Sequence, residues 1–322
     1  MKRIEFDHPG APEVLKLVER PTPAPGPGEL LVALGASGVN YLDAMYRAGY
    51  IPAELPFAPG GEGAGSVQAT GDDAGQFKAG DRVAWFGQGA SYADHAIVPA
   101  SAVVPVPDGV DDETAAAMML QPFTAHYLAS SAWPVQPGDV ALVHAAAGGV
   151  GQYLTQIIKL RGGHVIATVS TQEKARIARE RGANDVIIYR DGEFAAETLE
   201  LLGGRGVDVV FDGVGKDTFA GGLAVLRARG MLISYGQSSG AVPPVDLMDL
   251  NNNGSLYVTS PNPFSYMQKP GELADRFQEL FGWLAEGKLD VHIGARYPLA
   301  DAAQAHDDLQ HRRSVGKLLL IP

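Results

Sequence analysis

The chain has 322 residues, which at ~150 residues per domain suggests about two domains. Hydrophobic residues make up 46% and charged residues 19%, enough apolar side chain for sizeable cores and too much for a disordered chain. The lack of cysteine excludes disulfides, thiolate zinc sites, iron–sulfur clusters and cysteine nucleophiles, and the net charge of −12 argues against nucleic acid or an anionic membrane as partner.

At the N-terminus, MKRIEFDHPG lacks the apolar stretch of a signal peptide, and no later run is long and apolar enough for a bilayer span. The expectation is a cytoplasmic protein. Residues 1–110 read as β-rich. Ile4–Phe6, Val14–Val18 and Leu30–Leu34 are short apolar or alternating runs, separated by the turn chemistry of PTPAPGPGE. Gly63–Ala69 and Arg82–Trp85 are strand-like runs fenced by glycine. Strands this close with glycine-rich turns predict a partly open β-barrel. From Asp112 the texture becomes helical, with acidic residues leading an alanine-rich stretch.

Residues 139–260 alternate strand and helix. The predicted strands are Val140–His144, Val165–Val169, 185–189, 207–212, 231–236 and Ser255–Thr259; the helices are Val150–Arg161, Gln172–Arg181, Phe194–Leu202 and Asp217–Arg227. Strands separated by helices make βαβ units and a parallel sheet, and six strands suit a doubly wound dinucleotide-binding sheet. Two further helices (Glu272–Glu286 and Leu299–His311) and a strand (Lys317–Ile321) close the chain. This tail is too short to stand alone, so 261–322 is expected to join 1–122, leaving 123–260 as the nucleotide-binding domain.

The segment VALVHAAAGGVGQYLTQIIKL carries the sharpest chemistry. A strand ends at His144, a glycine-rich turn follows, and a helix opens near Gly149. Such a turn lets backbone approach a pyrophosphate, which the amides and positive dipole end of the helix then bind. The pattern is A-x-G-x-x-G over Ala146, Gly148 and Gly151. An enzyme for NAD usually carries an acidic residue about 20 positions on, to hold the ribose 2′-hydroxyl. Here that place holds Ser170 and Thr171, with Lys174 beyond them. Hydroxyls and an ammonium suit a 2′-phosphate, so the expected cofactor is NADPH.

The segments GASGVNYLD, PGGEGAGSV, GDRVAWFG, HAAAGGVGQYLTQ, DVIIYRDG and GQSSGAVPPVDL, in that order, resemble the zinc-independent quinone oxidoreductases (zeta-crystallin-like) of the medium-chain dehydrogenase/reductase superfamily. The likeness runs over essentially the whole chain. It implies an α/β fold: a GroES-like, partly open β-barrel catalytic domain plus a Rossmann domain with a doubly wound six-stranded parallel sheet. Zinc-dependent relatives hold catalytic zinc with a cysteine after a G-V dipeptide and a histidine in G-H-E. Those positions are Asn40 and Gly61 here, and Glu62 remains. No metal is therefore expected.

By the same resemblance, Asn40, Thr124, Gly148, Gly149, Val150, Ser170, Lys174, Tyr189, Gly236, Ser238 and Arg312 are the cofactor-binding residues. Asn40, Asp43 and His126 are the candidate catalytic residues. Each carries two readings: Asn40 donates to an oxygen gaining charge or is a loop amide, Asp43 acts on a proton or orients backbone, and His126 donates a proton or packs in a helix. Tyr46 and Tyr127 are expected as cleft walls, Glu62 as a structural carboxylate and Lys317 as a surface charge. Met45, Ile51 and His126 stand where the family pattern has tyrosines. The implied activity is hydride transfer from NADPH to a quinone, driven mainly by orientation. The alternatives are reduction of an activated double bond (an enal, enone or enoyl thioester) and an NADPH-binding structural or sensor protein. A homodimer joined through the Ser255–Thr259 edge is expected.

Overall fold

The apolar runs of the N-terminal third become strands β1 (Lys2–Glu5), β2 (Lys16–Glu19), β3 (Glu29–Val39), β4 (Glu62–Thr70), β5 (Arg82–Phe86), β6 (His95–Pro99) and β7 (Val103–Pro105). The computed structural model describes residues 1–322 except Gln88, Arg190, Asp191, Gly192 and Arg312. Two helices interrupt these strands or follow them, α1 (Tyr41–Ala48) and α2 (Asp112–Ala117). α2 begins where its acidic residues predict, because the Asp111 carboxylate accepts the Thr114 N–H at 2.7 Å.

The chain continues through α3 (Leu120–Tyr127), β8 (Val140–His144), α4 (Gly149–Leu160), β9 (His164–Val169), α5 (Gln172–Glu180), β10 (Asp185–Ile188) and α6 (Phe194–Leu201). Then come β11 (Val207–Asp212), α7 (Phe219–Ala224), β12 (Leu226–Ser234), α8 (Leu247–Asn252), β13 (Tyr257–Thr259) and α9 (Glu272–Ala285). The last elements are β14 (Ile293–Pro298), α10 (Ala302–Gln310) and β15 (Lys317–Ile321). They fall into two units, Met1–Leu120 with Val291–Pro322, and Gln121–Asp290.

In the first unit the strand order is β14-β15-β3-β4-β5-β7, with β6 also paired to β3. β3 is the hub: it runs antiparallel to β4, β6 and β15, and bulges at Leu31/Val32 and Leu34/Ala36 break its register with β4. Those bulges let one long strand bend and serve three partners, as a partly open barrel requires. Leu30, Val32 and Leu34 of β3 meet Val67, Val83, Trp85, Ala96 and Val98 in its core.

In the second unit six parallel strands lie in the order β10-β9-β8-β11-β12-β13. The chain winds outward one way from β8 and then the other way from β11, a doubly wound sheet with its switch point between those two strands. Both are buried along their length, so apolar residues dominate them, with Asp208, Asp212 and His144 as buried polar exceptions.

The structure corrects several expectations. Residues 261–290 belong to the second unit rather than the first. Phe277 stacks on Phe123 (centroids 6.1 Å apart), Tyr266 stacks on Tyr127 (4.4 Å), and the Asp290 N–H donates to Gln156 Oε1 at 2.7 Å. Only Val291–Pro322 returns to the barrel. The helix expected over Asp217–Arg227 shortens to α7, because Leu226 already pairs with Val207 as the start of β12. α1, α8, β6, β7 and β14 have no counterpart among the elements expected above.

Candidate functional site

In the second unit the site begins where β8 ends. Ala145 takes a left-handed turn (φ +51°), and the Gly148 N–H closes it onto the Ala145 carbonyl at 2.8 Å. Gly148 is the N-cap of α4, so the N–H groups of Gly149, Val150 and Gly151 form its first turn, which no intrahelical carbonyl serves. Gly151 is required sterically: a Cβ there would overlap the Ala145 oxygen and lie 2.7 Å from the Ala146 Cα. Backbone amides and the positive helix end thus face outward from a turn with almost no side chain, a cradle for a pyrophosphate.

β9 ends at Val169, with Ser170 exposed just beyond. Thr171 caps α5 by accepting the Lys174 N–H at 3.2 Å, and Lys174 sits in the first turn of that helix. Tyr189 follows β10 and packs edge-on against Phe194 at 5.2 Å. After β12, a Cβ on Gly236 would lie 2.8 Å from the Gly213 oxygen, and Ser238 is exposed. Because the strands are parallel, Gly148, Gly149, Val150, Ser170, Tyr189, Gly236 and Ser238 lie along the carboxyl edge of one sheet, where such sheets bind ligands. NADPH suits this edge, which offers amides at the turn and hydroxyl and ammonium donors but no carboxylate immediately after β9. Thr124 stands apart, nearly buried on α3. Arg312 lies outside the described residues.

His126 is also on α3, with both ring nitrogens engaged. Nε2 meets Glu279 at 2.6 Å and Nδ1 meets Arg276 at 3.1 Å, both on α9. Burial is the main cause holding its pKa below the ordinary value; Glu279 opposes it and Arg276 adds to it. This geometry favours the packing role over proton donation. Tyr127 is not a cleft wall either: it is 1% exposed, and burial raises its pKa well above the ordinary tyrosine value.

In the first unit Asn40 caps α1. The Asp43 carboxylate, one turn on, accepts the Asn40 N–H at 2.9 Å, the Gly60 N–H at 3.2 Å and the Tyr92 hydroxyl at 3.2 Å. Burial pushes Asp43 up to about 6, the Asn40 N–H opposes this, and the Glu62 charge adds to it. Behind Asp43, Tyr92 meets His306 Nε2 at 3.0 Å; burial, with help from Arg47, holds His306 down to about 3. Three donors on one buried carboxylate favour the orienting role for Asp43. Tyr46 does not face outward with Met45; one residue further round the helix, it stacks on Phe57 at 5.0 Å.

Lys317 is the clearest correction. It is 1% exposed rather than a surface charge, and its ammonium donates to Asn40 Oδ1 at 3.0 Å, to the Val39 carbonyl at 3.4 Å and to Glu62 Oε1. Glu62 also accepts the Asn40 Nδ2–H at 2.5 Å and the Leu120 N–H at 2.7 Å. A lysine opening the apolar strand KLLLI was the available sequence signal, since a buried ammonium needs an anionic partner. Nothing in the sequence marked Tyr92 or His306. These residues do not fit a zinc ion: an amide, a glycine and a carboxylate already paired to an ammonium are poor donors. Among the described residues no cluster of three His, Asp or Glu could hold a metal.

Two family profiles match, one described as an alcohol dehydrogenase GroES-like domain over residues 26–108 and one as a zinc-binding dehydrogenase over 181–320. The chain is 43% identical to a quinone oxidoreductase of Pseudomonas aeruginosa, over 100% of this chain and 99% of that one. It is 37% identical to a 2-haloacrylate reductase of a Burkholderia species, over 97% and 96% respectively. The structure superposes on the Escherichia coli quinone oxidoreductase complexed with NADPH with a TM-score of 0.97, 40% identity and full coverage of both chains.

Proposed function

From a chain that belongs to the quinone oxidoreductase family, we infer an enzyme that reduces quinones with NADPH by direct hydride transfer and without zinc. The observation that carries this reading is the full-length 43% identity to a quinone oxidoreductase, supported by the glycine turn that suits the nucleotide. When bound, NADPH supplies the hydride. The first turn of α4 holds the pyrophosphate, and Ser170 and Lys174 hold the 2′-phosphate through charge-assisted hydrogen bonds. Tyr189 borders the nucleotide from the end of β10, and Gly236 and Ser238 from the end of β12. Asn40 donates to the acceptor oxygen as that oxygen gains charge, and Asp43 fixes the backbone that presents Asn40. A quinone spreads its incoming charge over the ring, so orientation and one amide donor suffice without a Lewis acid.

Reduction of an activated double bond is a second reading, favoured by the 37% identity to a 2-haloacrylate reductase. An acceptor panel followed by NADPH absorbance separates the two. 1,4-Benzoquinone is expected to turn over faster than 2-chloroacrylate or a 2-alkenal; the reverse order selects the second reading. Nucleotide binding with no turnover of any acceptor would instead select a structural or sensor role.

The assembly we infer is a homodimer through β13. This edge strand carries Tyr257, which is 54% exposed, and Leu247, Met248 and Phe264 of the same unit are exposed as well. Light scattering at about 34 kDa instead of twice that mass would overturn it. Among the described residues no helix is long and apolar enough to cross a membrane. We take the cytoplasm as the working compartment, testable by cell fractionation.

A further inference from the structure

The Asn40 carboxamide sits between two groups of opposite hydrogen-bonding character. Lysine ammonium only donates and an ionised carboxylate only accepts. Lys317 Nζ donates to Asn40 Oδ1 at 3.0 Å, and Asn40 Nδ2 donates to Glu62 Oε1 at 2.5 Å. A half-turn of the carboxamide would set its amino group against the ammonium and its oxygen against the carboxylate, two repulsions in a place almost closed to water. Asn40 is 6% exposed, Glu62 0% and Lys317 1%. Neither holder can swing away. Glu62 is anchored through Oε2 by the Leu120 N–H at 2.7 Å, and Lys317 lies in β15, paired to β3 at the residues just before Asn40. Gly38 makes room for both side chains, since a Cβ there would overlap Glu62 Oε1 and lie 2.6 Å from Lys317 Cε. A pair this buried is costly to desolvate, and apolar residues of the same volume would fold at least as well.

We propose that Lys317 is a positioning residue for quinone reduction: together with Glu62 it locks the Asn40 carboxamide in the one orientation that serves the acceptor oxygen. This rests on the reading that Asn40 meets the acceptor. Lys317 acts through Asn40 and does not itself touch the substrate, so its loss lowers kcat while leaving the pyrophosphate turn and the 2′-phosphate residues intact.

The chain has no cysteine, which permits a clean test. K317C, alkylated in denaturant with 2-bromoethylamine and refolded, regains an ammonium on a thioether stem of lysine length. Alkylation with 1-iodopropane gives the same shape without the charge or the donors. The aminoethyl form is expected to recover kcat to within about threefold of wild type. The propyl form is expected to stay roughly tenfold or more below it, with the KM for NADPH nearly unchanged. A packing role alone would be restored by either adduct, so a propyl form with wild-type kcat overturns the proposal. Should the propyl form not refold with Glu62 unpaired, E62Q in the same background removes the buried anion. The Leu120 N–H then keeps the oxygen of the new carboxamide on its own side and turns the new amino group toward Asn40, which must flip. The same loss of kcat is expected, and wild-type kcat again overturns the proposal. N40A, measured alongside, separates the two levels: if it keeps wild-type kcat, the reading of Asn40 fails, whereas a low N40A beside an active propyl form defeats the inference about Lys317 alone.

Discussion

The two units arrange their candidate residues by opposite means. The second uses backbone and the absence of side chains: a turn at 145–148, the first amides of α4, and Gly151 where any Cβ would strike the Ala145 carbonyl. The first uses buried side chains drawn from distant parts of the chain, with Lys317, Glu62, Asn40, Asp43, Tyr92 and His306 linked by hydrogen bonds. Backbone amides arrive already fixed by the helix they belong to. Buried ionisable groups hold their place only while every partner is present. The first unit should therefore answer sharply to single substitutions and to pH, and the second mainly to added bulk.

The largest effect expected is on Lys317. K317M leaves Glu62 buried without its counter-charge and should cost about 3–5 kcal/mol of stability in urea unfolding, most of it recovered in E62Q/K317M. Equal stability of single and double variants would break the contrast. Next is pH. The folded Asp43 keeps its proton up to about 6, whereas the unfolded chain releases it near 3.8. Between those values the folded state binds more protons, so this group makes stability fall as pH rises from 4 to 6, by about 3 kcal/mol. His306, held down by burial to about 3, acts the other way: the unfolded chain takes up its proton below about 6.5, so acid destabilises. D43N removes the opposing contribution and should steepen the acid-side loss, read as the slope of the urea midpoint against pH; an unchanged slope would deny Asp43 its raised value.

In the second unit, K174A should raise the KM for NADPH far more than that for NADH, by an amount equivalent to about 1.5–3 kcal/mol for a charged hydrogen bond. Equal changes with both nucleotides would sink the 2′-phosphate assignment. G151A forces helix and turn apart and should cost about 1–3 kcal/mol, with weaker NADPH binding by calorimetry; wild-type affinity would show that the close approach is dispensable. The smallest effect is none: chelators should leave NADPH oxidation unchanged, and a metal-restorable loss would overturn the zinc-free reading.

The same contrast explains what could be read from sequence. The nucleotide edge was legible because its signals are local: A-x-G-x-x-G at a strand end, then Ser170 where a carboxylate would favour NAD. The six-strand alternation was legible for the same reason, as each βαβ unit declares itself within about 30 residues. The lysine bridge was not, since Lys317 and Glu62 are separated by 255 positions and meet only once β15 lies beside β3. The setting of Tyr46 was hidden for a simpler reason. With α1 unrecognised, nothing indicated that the residue after Met45 turns inward, although Asn40, Asp43 and Gly49 spell a helix cap at each end. The placement of 261–290 failed because helix α9 shows an ordinary amphipathic face, and such a face does not name the surface it will cover.

The room that Gly38 leaves for the Lys317–Glu62 pair also bears on ancestry and redesign. A metal-binding cysteine placed at 40 would stand beside the Lys317 ammonium, which lies 3.0 Å from Asn40 Oδ1 and would repel a second cation there. The lysine would have to leave first, and its departure alone strands a buried anion. Any route between metal-dependent and metal-free forms of this barrel must therefore cross a fragile intermediate, or change two distant positions together.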